Sequence, residues 1–204
     1  MKIFKNLSDF IIQTGKKIFH NDQNSLEYRF LVIGDRSVGK TSFINKAIND
    51  SFDLEIKPTT ENGCYNMELQ FGYNRISILL VDVTTSELSK NHRYIFRRVD
   101  GAFVLYDITK HYTFEKVETY ISDIQGNLGF KIPIILIGNK KDLGHLRAVH
   151  EIELKNLSFQ FNVDHCETTC VDENSVFDIV KFFVFKTYYN SLSDSKKKEI
   201  LTMF

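Results

Sequence analysis

The sequence predicts a single α/β domain built on a mainly parallel sheet with helices on its faces. Four short runs rich in β-branched and apolar residues, Tyr28–Ile33, Ile76–Asp82, Ala102–Asp107 and Ile134–Gly138, are each long enough for a strand buried on both faces. Helical periods alternate with them: Phe43, Ile44, Ala47 and Ile48; Phe114, Val117, Ile121 and Ile124; then Val176, Ile179, Val180 and Phe183 closing the domain. Strand and helix taken in turn mean right-handed crossovers, which place neighbouring strands parallel. A length of 204 residues leaves room for one domain with short appendages, and 43% hydrophobic against 25% charged residues supplies a globular core.

In chain order, the first patterned segment is residues 2–19. Ile3, Leu7, Phe10, Ile11 and Ile18 recur on one helical face, with Lys2, Lys5, Asp9, Gln13 and Lys16 opposite. Two uses stay open for this amphipathic helix: packing on the domain, or lying in a membrane interface as a peripheral contact. Residues 1–25 are thus expected to be helix and linker, 26–190 the domain, and 191–204 a solvated tail carrying Lys196–Lys198. Within the domain, Cys64–Phe71, Gly72-Tyr73-Asn74 and Ile76–Asp82 read as a hairpin, which adds one antiparallel edge strand. No run reaches the ~18 apolar residues of a spanning helix. Met1 is not followed by Gly, and Leu201-Thr202-Met203-Phe204 has no prenylation cysteine. Three cysteines, Cys64, Cys166 and Cys170, read as reduced thiols, which points to the cytoplasm. Lys+Arg and Asp+Glu both total 26, so no global field draws the chain to nucleic acid.

Directly after the first strand comes Gly34-Asp35-Arg36-Ser37-Val38-Gly39-Lys40-Thr41, which satisfies G-x-x-x-x-G-K-[ST] and opens a helix. Loop amides of this kind converge on phosphates, reinforced by the helix dipole, and Gly34 and Gly39 supply turns a side chain would block. Ser37, Val38 and Ser42 belong to the same cradle. Lys40 would place its charge between the β- and γ-phosphates, and the Thr41 hydroxyl is aimed at Mg²⁺.

At the end of a later strand stands Asn139-Lys140-Lys141-Asp142. With these motifs, and with Ile132–Leu143 (IPIILIGNKKDL) and Tyr106-Asp107-Ile108-Thr109, the chain resembles a Ras-superfamily small GTPase of the Rab and Ras branches over about Tyr28–Tyr189. The resemblance implies a P-loop G-domain with a six-stranded, mainly parallel sheet that binds GTP or GDP with Mg²⁺. It implies that Asp142 accepts hydrogen bonds from the guanine ring N1–H and exocyclic amine, that Asn139 braces the loop, and that the Lys140 stem lies along the ring. Glu167-Thr168-Thr169-Cys170 resembles the family's E-T-S-A-K segment, so Thr169, the Cys170 amide and Val171 would border the base, with Val171 replacing the usual lysine. Phe52 matches the aromatic at the base edge. Thr59, after Pro58, would bind Mg²⁺ and sense the γ-phosphate, with Thr60 a close rival, and Asp82 would be the metal's supporting carboxylate.

The resemblance breaks down at the hydrolytic residues. Where the family reads D-x-x-G followed by Gln, this chain reads Asp82-Val83-Thr84-Thr85-Ser86, so Thr85 stands for the switch glycine and Ser86 for the water-positioning glutamine. A β-branched Thr resists positive φ, and a serine side chain is too short to hold an attacking water from the same Cα. Arg36 occupies a loop position that is small in most relatives, where it would crowd an activator's arginine more readily than replace it. The expectation is a guanine-nucleotide switch with slow hydrolysis, acting as a monomer on effectors through residues 53–63 and 84–98, and loaded by an exchange factor. The rival is a protein-binding module with nucleotide as a structural ligand or none. His165, Cys166 and Cys170 lack a fourth partner for zinc. Arg93, Arg97 and Arg98, expected on a helix with Tyr94 and Phe96, fit a protein partner better than nucleic acid.

Overall fold

The computed structural model describes residues 26–49, 63–71, 74–83, 94–171, 175–195 and 197. The expected helix at residues 2–19 lies outside them. The elements run β1 (Leu26–Gly34), α1 (Lys40–Asn49), β2 (Cys64–Phe71), β3 (Asn74–Val83), β4 (Gly101–Asp107), α2 (His111–Glu115), α3 (Val117–Leu128), β5 (Ile134–Asn139), a 3₁₀ segment (Lys141–Leu146), α4 (Glu151–Phe161), β6 (Asp164–Glu167) and α5 (Ser175–Ser191). The six strands lie in the order β2-β3-β1-β4-β5-β6. β2 is the one antiparallel member, pairing with β3 from Cys64↔Val81 to Phe71↔Asn74, and every other pairing is parallel.

Period-two alternation divides the apolar residues between two layers. Phe30 and Val32 of β1, Phe103 and Leu105 of β4, and Ile135 and Ile137 of β5 face α1 and α5. Leu31, Ile33, Ala102, Val104, Ile134 and Leu136 face α3 and Leu154 of α4. The first layer is centred on aromatic rings, with Phe103 and Phe183 4.6 Å apart and Phe30 and Phe183 5.2 Å apart. β4 is buried along its whole length, as a central strand covered on both faces must be.

Two local readings change. The stripe expected to run from Phe114 to Ile124 is split, because Lys116 ends α2 and begins α3 (φ −80°, ψ −14°). Residues 94–98 form turns, not the expected helix: Arg98 has φ 52°, which no helix accommodates, while buried Ile95 pins the turn to the core. The chain must turn there to deliver Asp100, whose carboxylate accepts the Arg29 amide at 2.8 Å while its own amide donates to the Arg29 carbonyl at 2.9 Å.

The hydroxyl of Tyr106, whose ring meets Phe114 edge-on at 5.0 Å, is one of three buried side-chain polar atoms without a hydrogen-bond partner among the described residues. Its desolvation raises its pKa, and an unpaired buried hydroxyl costs about 1–3 kcal/mol. Tyr106→Phe keeps the ring and deletes the orphan, so its urea midpoint should equal or exceed that of the wild type. A loss above about 1 kcal/mol would show that the hydroxyl is bonded.

Candidate functional site

Parallel pairing puts the carboxyl ends of β1, β3, β4, β5 and β6 on one edge of the sheet, and the motif residues stand there. The loop after β1 turns through Ser37 (φ 63°) and Gly39 (φ 95°) into α1. Gly34 and Gly39 are required for space as well: an added Cβ would lie 2.4 Å from the Leu105 carbonyl oxygen at Gly34, and 2.4 Å from Asn139 Nδ2 at Gly39. Lys40 reaches back along the loop, its Nζ donating to the carbonyls of Gly34 and Asp35, both at 3.0 Å. Burial lowers its pKa, opposed by the charges of Asp82 and Asp35.

Thr41 and Asp82, expected as metal residues, come together: Thr41 Oγ1 donates to Asp82 Oδ2 at 2.8 Å. Asp82 Oδ1 is buried with no partner among the described residues. A hydroxyl beside a carboxylate with one unpaired oxygen, next to the phosphate loop, is a hard oxygen donor set that fits Mg²⁺ or its bound water. Thr59, Thr60, Phe52, Thr85 and Ser86 lie outside the described residues.

Asn139 joins the phosphate side to the loops after β5 and β6. It is buried; Nδ2 donates to the Val38 carbonyl at 2.9 Å, and Oδ1 accepts the Lys140 amide at 2.8 Å and the Cys170 thiol at 3.6 Å. Lys140 adopts a left-handed conformation (φ 65°), and its Nζ donates to the Ser37 carbonyl at 3.0 Å and to Asp107 Oδ2 at 2.6 Å. Its stem is therefore fixed across the gap between the two loops. Asp142 is exposed and oriented by Thr169, whose hydroxyl donates to Asp142 Oδ1 at 2.5 Å while accepting the Val171 amide at 3.1 Å. Val171 itself is exposed, and Ser42 lies exposed on the first turn of α1.

Several supports escaped the sequence reading. Asp107 is fully buried; desolvation would raise its carboxyl, but hydrogen bonds from Lys140 and Thr109 and the Lys140 charge hold it below the ordinary carboxylate range. Arg147 grips Glu167 with two hydrogen bonds of 2.6 and 2.8 Å, tying the 3₁₀ segment to β6. Asp35 and Lys116 pair across the start of α3. Thr109 is two residues from Asp107, but the charged partners Lys140 and Arg147 lie 33 and 20 residues from Asp107 and Glu167, and no local pattern signals them.

His111 bridges Glu153 at 2.8 Å and Glu115 at 3.2 Å, linking α2 to α4, and these hydrogen bonds raise its pKa. The sign follows: the stabilising contribution is complete below the ordinary histidine value of about 6.5 and disappears as pH rises through the raised value. The wild-type melting temperature, compared with that of His111→Gln from about pH 5.5 to 8.5, should show an advantage that shrinks at the alkaline end. A constant difference would mean that the histidine charge contributes nothing.

Among the described residues no helix is long and apolar enough to cross a membrane, and no group of three His, Cys, Asp or Glu could hold a metal ion. The Ras family model matches residues 29–188. The chain is 31% identical over 160 residues to Ras-related protein RABA1e of Arabidopsis thaliana, covering 76% of this chain and 72% of that protein.

Proposed function

From the premise that the chain belongs to the Ras family, whose members are small GTPase switches in signalling or trafficking, we propose that it binds GTP and GDP with Mg²⁺ and hydrolyses GTP slowly. One observation carries the binding half: Asn139 is bonded to both the phosphate loop and the Asn-Lys-Lys-Asp loop, so triphosphate and guanine would be held by one connected unit. Lys40 would exchange the carbonyls of Gly34 and Asp35 for phosphate oxygens. Asp142 and the Cys170 amide would meet the base. Thr41 and Thr59, backed by Asp82, would hold Mg²⁺, which neutralises charge on the β- and γ-phosphates when bound.

The slow-hydrolysis half rests on Ser86, Thr85 and Arg36. A serine cannot place the attacking water from the position of a glutamine, and a Cβ at Thr85 opposes closure on the γ-phosphate. The GTP form would then persist and engage effectors through residues 53–63 and 84–98. In single-turnover decay of bound radiolabelled GTP, the wild type should be far slower than a Rab control. Ser86→Gln alone should recover little, and recovery should need Thr85→Gly and Arg36→Gly beside it. A Rab-like wild-type rate refutes slow hydrolysis, and full rescue by the single change refutes the roles of Thr85 and Arg36. Nucleotide extracted from purified protein separates the rival: GTP supports the switch, whereas GDP alone or none favours a protein-interaction module with nucleotide as a structural ligand or absent.

A further inference from the structure

The last helix of the domain is apolar on the side that should face water. Phe183 meets Phe30 and Phe103 at 5.2 and 4.6 Å, which fixes the face that α5 turns to the sheet. At 3.6 residues per turn Phe185 lies about 200° further round, pointing away from the sheet, where a helix on the surface of a domain carries polar side chains. Phe185 is nevertheless only 9% exposed, and no residue from Val176 to Tyr189 is exposed. Its stacking partner, Tyr189 at 6.4 Å, stands one turn on along the same helix. Lys181, one turn before Phe185 on the same side, has its ammonium pKa lowered by burial, against the opposing charge of Asp178. Phe182, Phe185 and Tyr189 recur at spacings of three and four, the seam of a helix that packs along a second helix.

The path of the chain says what can reach that side. The start of β1 lies beside the end of α5: Leu26 packs on the same core cluster as Tyr189 and Leu192, and Tyr28 shares a side-chain hydrogen bond with Ser191. The chain before Leu26 therefore arrives at the last turn of α5. A second helix axis would stand ~8–10 Å from that of α5, and the six residues His20–Ser25 can span up to ~20 Å. As a helix, residues 2–19 would measure about 27 Å, against about 26 Å for the 17 residues of α5. Leu7, Ile11 and Ile18, four and seven apart, carry the matching seam spacing. We infer that residues 2–19 are the element covering α5, a helix lying parallel to it with this stripe against Phe185 and Tyr189. Both helices then end at the linker side of the sheet, and a lipid surface has to compete with α5 for the same apolar side chains.

The chain has no tryptophan, so Phe10→Trp in the full-length protein places a single reporter in the proposed seam. In solution without lipid, its emission should have the short wavelength of a shielded indole at every protein concentration, with acrylamide quenching several-fold weaker than for free indole. Phe185→Asp should shift that emission to the wavelength of an exposed indole and raise the quenching several-fold. Tyr189→Asp, at a partly buried position near the helix end, should do the same and serves where Phe185→Asp does not fold, as judged by far-ultraviolet circular dichroism. Phe159→Asp, at a 90% exposed position on α4, should change neither reading. Exposed emission that moves to short wavelength only with vesicles containing an anionic phospholipid assigns the stripe to a membrane and overturns the inference. Shielding that is lost on dilution assigns it to a second copy of the chain, and shielding that survives both α5 variants, or is lost in Phe159→Asp, places the segment elsewhere; each of these overturns it too.

Discussion

Gly39→Ala should yield a folded protein that no longer retains guanine nucleotide through purification. The position has φ 95°, and a Cβ there would lie 2.4 Å from the Asn139 amide nitrogen. Left-handed strain costs on the order of 1–3 kcal/mol. Displacing Asn139 strands the Val38 carbonyl it serves at 2.9 Å, a further ~1–3 kcal/mol. Together these are about 2–6 kcal/mol, or roughly thirtyfold or more in affinity. Calorimetry with GDP and Mg²⁺ is the measurement, and a Kd within tenfold of the wild type would show that the loop and Asn139 can part without loss. Adding Asn139→Ala removes the obstacle to the new methyl group, so the double variant should lose less than the sum of the two single losses.

Asp142→Ala should produce the second large effect, on selectivity as well as affinity. Thr169 orients this exposed carboxylate at 2.5 Å and is itself fixed by the Val171 amide. A hydrogen bond to a charged acceptor contributes about 1.5–3 kcal/mol, and guanine offers Asp142 two donors where adenine offers no matching pair. GDP affinity should fall about a hundredfold or more, with preference over ADP close to lost. Thr169→Val, which frees the carboxylate without deleting it, should lose roughly tenfold. Unchanged GDP binding in Asp142→Ala would remove the base site from this loop.

What could be foreseen follows the range of the interactions. The strands, the β2–β3 hairpin and the phosphate loop are local patterns of a few residues, and Gly34 to Thr41 and Asn139 to Asp142 stand where strand-end logic puts them. The break at Lys116 was hidden because the apolar stripe runs across it: Phe114 and Val117 have the spacing of one helix although they belong to two. The turn at Arg98 is hidden because its cause is a pairing across 71 residues, in the bonds between Asp100 and Arg29. The ion pairs Asp35–Lys116 and Asp107–Lys140 bridge 81 and 33 residues, and nothing near either carboxylate names its partner.

The fully covered fourth strand and its neighbour β1 carry a dynamic consequence. Their amides should be the last to exchange with heavy water, because exposing them requires the entire domain to open. The connection leading into Lys40 leaves β1, and the one bearing Lys140 leaves β5 at Asn139; these two strands flank β4. A nucleotide held there would leave through excursions of those connections while the sheet stays shut. The protein left behind would then still be natively assembled, and loading could repeat without a refolding step.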